Sequence, residues 1–195
     1  MHPHSGRVYV ADGYGNSRIV VFAPDGTYLT EWGKPGAAAG AFRVPHSIVI
    51  DRRGDVFVAD RENARVQVFT DDGAFKAEWT SRVSTNSARF SYSKHVSSIS
   101  YHPLLDAFAV SEGDSVVLRT PSGCTLMETE GGLQWPHDAV IVPAATAAGG
   151  KAANRSVTSH GAQYALFVAE LAGKKIKRYN AADIAVSTGP VDMYG

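Results

Sequence analysis

The chain repeats itself, and this self-similarity constrains the fold more than any other feature of the sequence. Val8–Asp12 (VYVAD) opens a stretch that continues through Asn16, Arg18–Phe22 (RIVVF), Asp25-Gly26 and Glu31-Trp32. Val56–Asp60 (VFVAD) restarts it, followed by Asn63, Arg65–Phe69 (RVQVF), Asp72-Gly73 and Glu78-Trp79. A third, decayed copy runs from Phe108–Glu112 (FAVSE) through Val116–Leu118, Ser122-Gly123 and Glu128. A fourth, Leu166–Glu170 (LFVAE), leads into Lys175–Tyr179. Each copy reads as strand, polar turn, strand, Asp-Gly-type hairpin turn and a further strand.

Short apolar runs stand ahead of the later copies: Ser47–Ile50 before the second, Val96–Tyr101 before the third and Ala139–Val142 before the fourth. Four short antiparallel strands per repeat of about 40–50 residues make the signature of a β-propeller blade. A helical solenoid would need apolar spacings of three and four over about ten residues, and none is present. The expected fold is therefore all-β, a propeller arc. Residues 1–40 form a blade without its first strand, and 41–91, 92–133 and 134–195 form three further blades. Residues 143–163, rich in Ala, Gly and Ser, read as a mobile insertion in the last. Propellers close with about four to eight blades. The arc of about 3.7 blades is thus expected to be the C-terminal part of a larger propeller or half of an assembled ring. With unprotected edges, it is expected to self-associate when isolated.

Composition excludes several functions. The 195 residues carry 19 basic and 19 acidic side chains, so no broad basic surface awaits a nucleic acid. The run Lys174–Arg178 reads as a solvated strand edge. No apolar stretch approaches the roughly 18 residues of a membrane span, and the N-terminus lacks a signal-peptide pattern. The single cysteine, Cys124, rules out an internal disulfide and a multi-cysteine zinc site.

Residues shared by equivalent blades are read as structural. Asp12, Asn16 and Arg18 recur as Asp60, Asn63 and Arg65, and an ion pair with hydrogen bonds would pin each turn. Trp32 and Trp79 are expected to pack between blades. Two Pro-His pairs reduce less easily. Val44-Pro45-His46 and Trp135-Pro136-His137 stand just before the first strands of their blades. First strands line a propeller's channel, so two imidazoles would face one axis from alternate blades. Neutral imidazole suits zinc; polar side chains lining a wet channel are the other reading. His95 sits about two positions out of this register and is taken as a surface or channel residue. His2, His4, His102 and His160 carry no site signal. Tyr14 is an extra aromatic between Gly13 and Gly15 in a turn, and Arg61 replaces glycine in the equivalent turn of the next blade. A phenol placed near a cation and a metal ionises more readily, which is what a general base needs. Exposed Tyr and Arg in turns are also ordinary.

Four motifs, Asp12–Ile19 (DGYGNSRI), Val44–Ser47 (VPHS), Val58–Asn63 (VADREN) and Pro136–Asp138 (PHD), closely resemble peptidyl-α-hydroxyglycine α-amidating lyase. That family is the lyase domain of peptide-amidating monooxygenase and a relative of NHL-repeat propellers. The similarity covers most of residues 5–142 and weakens beyond. It implies a six-bladed propeller whose channel zinc is held by three histidines, two of them matching His46 and His137, and a structural calcium with Asp138 as one ligand. Tyr14 matches the general base and Arg61 an active-site arginine. The implied substrate is a peptide ending in α-hydroxyglycine, cleaved at its N–C bond to an amidated peptide and glyoxylate. The family is typically secretory.

The chain also departs from the pattern. The first zinc histidine and the substrate-carboxylate arginine would precede residue 1, and no copper monooxygenase domain is expected within these 195 residues. Trp135 stands where Met is common, and Gly15 and Phe57 replace disulfide cysteines. The activity of this stretch alone is therefore put in doubt. Two other functions compete: a noncatalytic NHL-type scaffold that binds a protein or peptide, and a calcium-dependent propeller hydrolase. The hydrolase would need several channel carboxylates, and only Asp138 is offered.

Overall fold

β-Branched and aromatic runs broken by Gly-containing turns give the chain its strands. The computed structural model describes residues 1–81, 95–129, 131–143, 164–180 and 185–186. The first sheet is β1 (Val8–Asp12), β2 (Arg18–Phe22) and β3 (Tyr28–Trp32). The second is β4 (Pro45–Ile50), β5 (Val56–Asp60), β6 (Arg65–Phe69) and β7 (Phe75–Thr80), with a 3-10 turn at Arg61–Asn63. The third holds β8 (Val96–His102), β9 (Ala107–Glu112), β10 (Ser115–Arg119) and β11 (Thr125–Glu128). The fourth holds β12 (Pro136–Pro143), β13 (Tyr164–Glu170) and β14 (Lys175–Asn180). All pairings within these sheets are antiparallel. Sheet after sheet in chain order is the all-β propeller arc expected from the repeats. The short strand β15 (Ala185–Val186) joins the outer edge of the third sheet, Met127 opposite Val186. Apart from Pro143, the expected insertion at 143–163 lies outside the described residues.

Strand side chains alternate between faces, so each middle sheet supplies two layers of core. Val56, Val58 and Phe69 pack with Tyr9, Ile19 and Val21 of the first sheet and with Phe42 of the connecting segment. On the opposite face Phe57, Val66 and Val68 pack with Ile99, Phe108 and Val110 of the third sheet. Ala109, Val116 and Leu118 then meet Ala139, Ile141, Leu166 and Val168 of the fourth. Phe57, Phe69 and Phe108 are almost wholly buried, each worth about 1.5–3 kcal/mol of transfer free energy. The other face of the first sheet carries Val10, Val20, Phe22 and Tyr28 around a groove of about 480 Å³.

The tryptophans tie neighbouring sheets, as expected. A Cβ on Gly73 (φ +91°) would lie 2.7 Å from Cδ2 of Trp32, and Trp79 covers Gly123 in the same way. The turn glycines therefore serve twice, supplying a positive φ and a seat for the preceding blade's indole.

The recurrent carboxylates take the structural role read for them. Asp12 accepts from Asn16 (2.8 Å) and Arg18 (3.0 Å), and Asp60 from Asn63 (2.7 Å) and Arg65 (2.9 Å). The decayed copies keep the pair in altered form, Glu112 with Arg119 at 2.7 Å and Glu170 with Lys177 at 3.0 Å.

Candidate functional site

Three inner strands share one irregularity. β4 steps from Pro45 opposite Asp60 to Ser47 opposite Ala59, leaving His46 as a bulge. β12 does the same between Pro136 and Asp138, leaving His137, and β8 between Val96 and Ser98, leaving Ser97. A bulge turns one side chain out of the regular alternation. Two alternate sheets spend it on an imidazole, and the sheet between them spends it on a serine. Ser97, two positions beyond His95, is thus the true equivalent of the histidines, in line with the register read from the sequence.

The residue before each Pro-His pair is left-handed: Val44 has φ 57° and Trp135 φ 59°. Non-glycine residues seldom adopt this conformation, a β-branched one least of all, and a following proline ordinarily pushes its predecessor toward extended backbone. Each corner is held by a backbone bond, Arg61 N–H to Val44 O and Leu171 N–H to Trp135 O, both at 3.1 Å.

The corners bring the rings together. The centroids of His46 and His137 are 5.2 Å apart with the planes at 78°. His46 Nδ1 lies 2.6 Å from the carbonyl oxygen of Ser97, and its Nε2 lies 3.1 Å from the Tyr14 hydroxyl. A carbonyl only accepts, so Nδ1 carries the proton. In the neutral ring Nε2 is then the lone-pair atom, and Tyr14 O–H donates to it. Tyr14 is 80% exposed, on a turn pressed against the His46 corner. A Cβ on Gly13 would be driven into the Pro45 carbonyl, whereas Gly15 has open space around it. Trp135 stands edge-on to His137, 6.5 Å between centroids.

Arg61, on the 3-10 turn, donates to Glu62 Oε1 at 2.5 Å. Glu62 Oε2 in turn meets His95 Nε2 at 3.1 Å. Burial pushes His95 below the ordinary histidine range; the Arg61 charge acts the same way and Glu62 opposes it. Burial also pushes His137 down, reinforced by His46 and Arg61 and opposed by Asp138. One guanidinium is therefore felt at both rings. His95, taken from the sequence as a surface or channel residue, is largely buried against Glu62. Glu62 was missed altogether. Its signal was the Arg61-Glu62 charge pair on a turn beside the Pro-His corner. Asp138 is exposed, its Oδ1 accepting from Ala139 N–H at 2.9 Å.

The donor set suits a metal such as zinc as far as it extends. One imidazole has its lone-pair nitrogen set by the Ser97 carbonyl, and the other is held toward its neutral form by burial. No third His, Cys, Asp or Glu joins them in a metal-holding group among the described residues.

Residues 42–69 match the NHL repeat family. This NHL stretch holds the His46 corner, β5, Arg61 and β6. The chain is 44% identical over 71 residues to peptidyl-glycine alpha-amidating monooxygenase of Mus musculus, a match covering 34% of this chain and 7% of that protein. It is also 44% identical over 69 residues to the probable peptidyl-alpha-hydroxyglycine alpha-amidating lyase of Caenorhabditis elegans, covering 32% of this chain and 19% of that protein. The chain thus spans a small part of these relatives, and the likeness read from its motifs is upheld at that coverage. A solved streptogramin B lyase structure covers 98% of this chain with 54% of its own, at TM-score 0.61 and 18% identity. That similarity bears on the fold.

Proposed function

We propose that these residues form part of the active site of a zinc-dependent lyase that cleaves peptidyl-α-hydroxyglycine into an α-amidated peptide and glyoxylate. The observation that carries the reading is the meeting of His46, His137 and Tyr14, from three different sheets or their turns, beside the charge of Arg61. A zinc ion held by His46 and His137, with further ligands from outside this set, would supply polarisation of the substrate's oxygen atoms. Tyr14, in its phenolate form, with its own hydroxyl proton already released to solvent, takes the proton of the α-hydroxyl as general base. Its exposure leaves the phenol reachable by a peptide end. As the hydroxyl oxygen becomes a carbonyl, the N–C bond breaks, and its electron pair stays on the amide nitrogen. The proton held by Tyr14 returns to that nitrogen, completing the amide, and the departing fragment is glyoxylate. Arg61 offsets the negative charge of the phenolate before it takes the proton and that of the substrate carboxylate, and Glu62 limits where its guanidinium can go. The calcium role of Asp138 rests on the resemblance alone.

The test is release of glyoxylate from a peptide ending in α-hydroxyglycine, together with the zinc content of the full-length protein. Zinc and glyoxylate should both be found, and both lost in the His46→Ala, His137→Ala double variant. Zinc without glyoxylate would favour a noncatalytic NHL scaffold.

A further inference from the structure

We infer that Glu170 is a positioning residue for His137, as Asp60 is for His46, each carboxylate gripping the backbone just ahead of the corner that aims the imidazole. The purpose assigned to this grip rests on the metal-binding reading above. Glu170 Oε2 accepts the N–H of Gln134 at 2.9 Å, and Asp60 Oδ1 accepts the N–H of Arg43 at 2.7 Å. In each case the left-handed residue, Trp135 or Val44, comes next, then proline, then histidine.

The amide of the residue after each carboxylate, Leu171 or Arg61, binds the carbonyl of the same left-handed residue. A strand end thus clamps the corner at two points, once through a charge-assisted bond to its side chain and once through its backbone. Such a clamp is what a left-handed, non-glycine residue before proline requires in order to persist.

The two oxygens of each carboxylate have separate partners. Glu170 Oε1 pairs with Lys177 at 3.0 Å, and Asp60 Oδ2 receives Arg65, Asn63 and Gln67. The first set ties strand to strand, whereas the second oxygen reaches the corner. In the second sheet the tie is a buried hub whose loss would disturb everything around it. In the fourth it is a single lysine, 35% exposed, so the two roles can be separated there.

The experiment compares Lys177→Ala, Glu170→Gln, Glu170→Ala and Gln134→Pro by two readouts. One is the nuclear Overhauser contact between the His46 and His137 rings in metal-free protein. The other is affinity for zinc alone, by competition with a chromophoric chelator. Lys177→Ala removes only the strand tie and should keep the ring contact and the zinc affinity even where it lowers Tm. Glu170→Gln retains an oxygen that can accept from Gln134 and should keep both. Glu170→Ala should lose the ring contact and bind zinc roughly 10- to 100-fold more weakly, the usual effect of removing support behind a ligand. Gln134→Pro deletes the donor while sparing Glu170 and Lys177, and carries the test if Glu170→Ala does not fold. An intact ring contact in Glu170→Ala or Gln134→Pro would overturn the inference, as would an equal loss in Lys177→Ala. If the wild type shows the ring contact but takes up no zinc, the lyase reading fails, and the positioning inference is judged on the ring contact alone.

Discussion

His46 Nδ1–H donates to the carbonyl oxygen of Ser97, the residue at the same bulge of the neighbouring sheet, at 2.6 Å. The blade that carries no imidazole at this level therefore orients the imidazole of the blade before it. The contact is to backbone, so it depends on the bulge and not on the serine side chain. It leaves Nε2 of His46 facing Tyr14, with His137 beside it.

Replacing Tyr14 by Phe removes the hydroxyl without disturbing the two imidazoles, which are held by corners and bulges. The side chain is mostly exposed, so folding stability should hardly change. Zinc uptake should persist, while glyoxylate release should fall by roughly 10²- to 10⁴-fold, the range for loss of a general base. A Tyr14→Phe protein that turns over near the wild-type rate would remove Tyr14 from the mechanism.

Gly13 and Gly15 flank Tyr14 but face different surroundings. Gly13→Ala forces the turn away from Pro45, which should cost roughly 1–3 kcal/mol and break the Tyr14–His46 hydrogen bond. Gly15→Ala meets open space and should stay within about 0.5 kcal/mol of wild type. Thermal melts check the first difference, and the ring contact between Tyr14 and His46 checks the second. Equal effects of the two substitutions would show that the turn does not rest on Pro45.

Much of the architecture was legible because strand pattern and turn chemistry agree in every copy, from VYVAD to LFVAE. The Pro-His pairs stood out because they recur at blade spacing without being needed for a strand. The left-handed corners were not legible. Val and Trp before proline ordinarily signal extended backbone, and only the clamps from Asp60 and Glu170 reverse that preference. The ion pairs of the third and fourth blades were hidden because Glu replaces Asp and the cation is displaced along the partner strand. Ser115 faces Glu112 where Arg65 faces Asp60, and the cation comes from Arg119; Glu170 faces Lys175 but pairs with Lys177. His95 and Glu62 were obscured because their meeting joins a turn of one blade to the strand start of the next. The edge placement of β15 beside β11 likewise depends on a pairing distant in sequence.

The same motif carries different weight in different blades. Asp60 is fully buried and accepts from Arg43, Asn63, Arg65 and Gln67. Asp60→Ala takes away the buried carboxylate that Arg65, Asn63, Gln67 and Arg43 share, leaving the half-exposed Glu78 to balance the Arg65 charge, and should cost about 3–5 kcal/mol. Asp12 makes the corresponding bonds to Asn16 and Arg18 where water reaches them, so Asp12→Ala should cost a small fraction of that. Chemical denaturation of the two variants decides the matter. Equal losses would mean that the hub owes its stability to something other than burial.

Acid should weaken the fold earlier than its carboxylates require. His102 is buried beside Tyr164, its Nδ1 accepting from Leu105 N–H at 3.4 Å. Burial pushes it below the ordinary histidine range, as it does His95 and His137. An unfolded histidine titrates near about 6.5. Between that value and the lower folded one, the unfolded chain binds more protons than the native chain, so stability rises with pH across this window. It is complete above about 6.5 and is lost as pH falls below it. Asp106, held low by its bonds to Arg53, adds a loss of the same sign only nearer about pH 4. Tm should therefore level off above neutrality and decline from about pH 6.5 downward. In His102→Asn, whose amide oxygen can replace Nδ1 as acceptor, the decline above about pH 5 should be shallower, while the steeper fall at lower pH remains. A Tm that rises on acidification from pH 7 to pH 5.5 would mean that these rings gain a proton on folding, against the burial the structure shows.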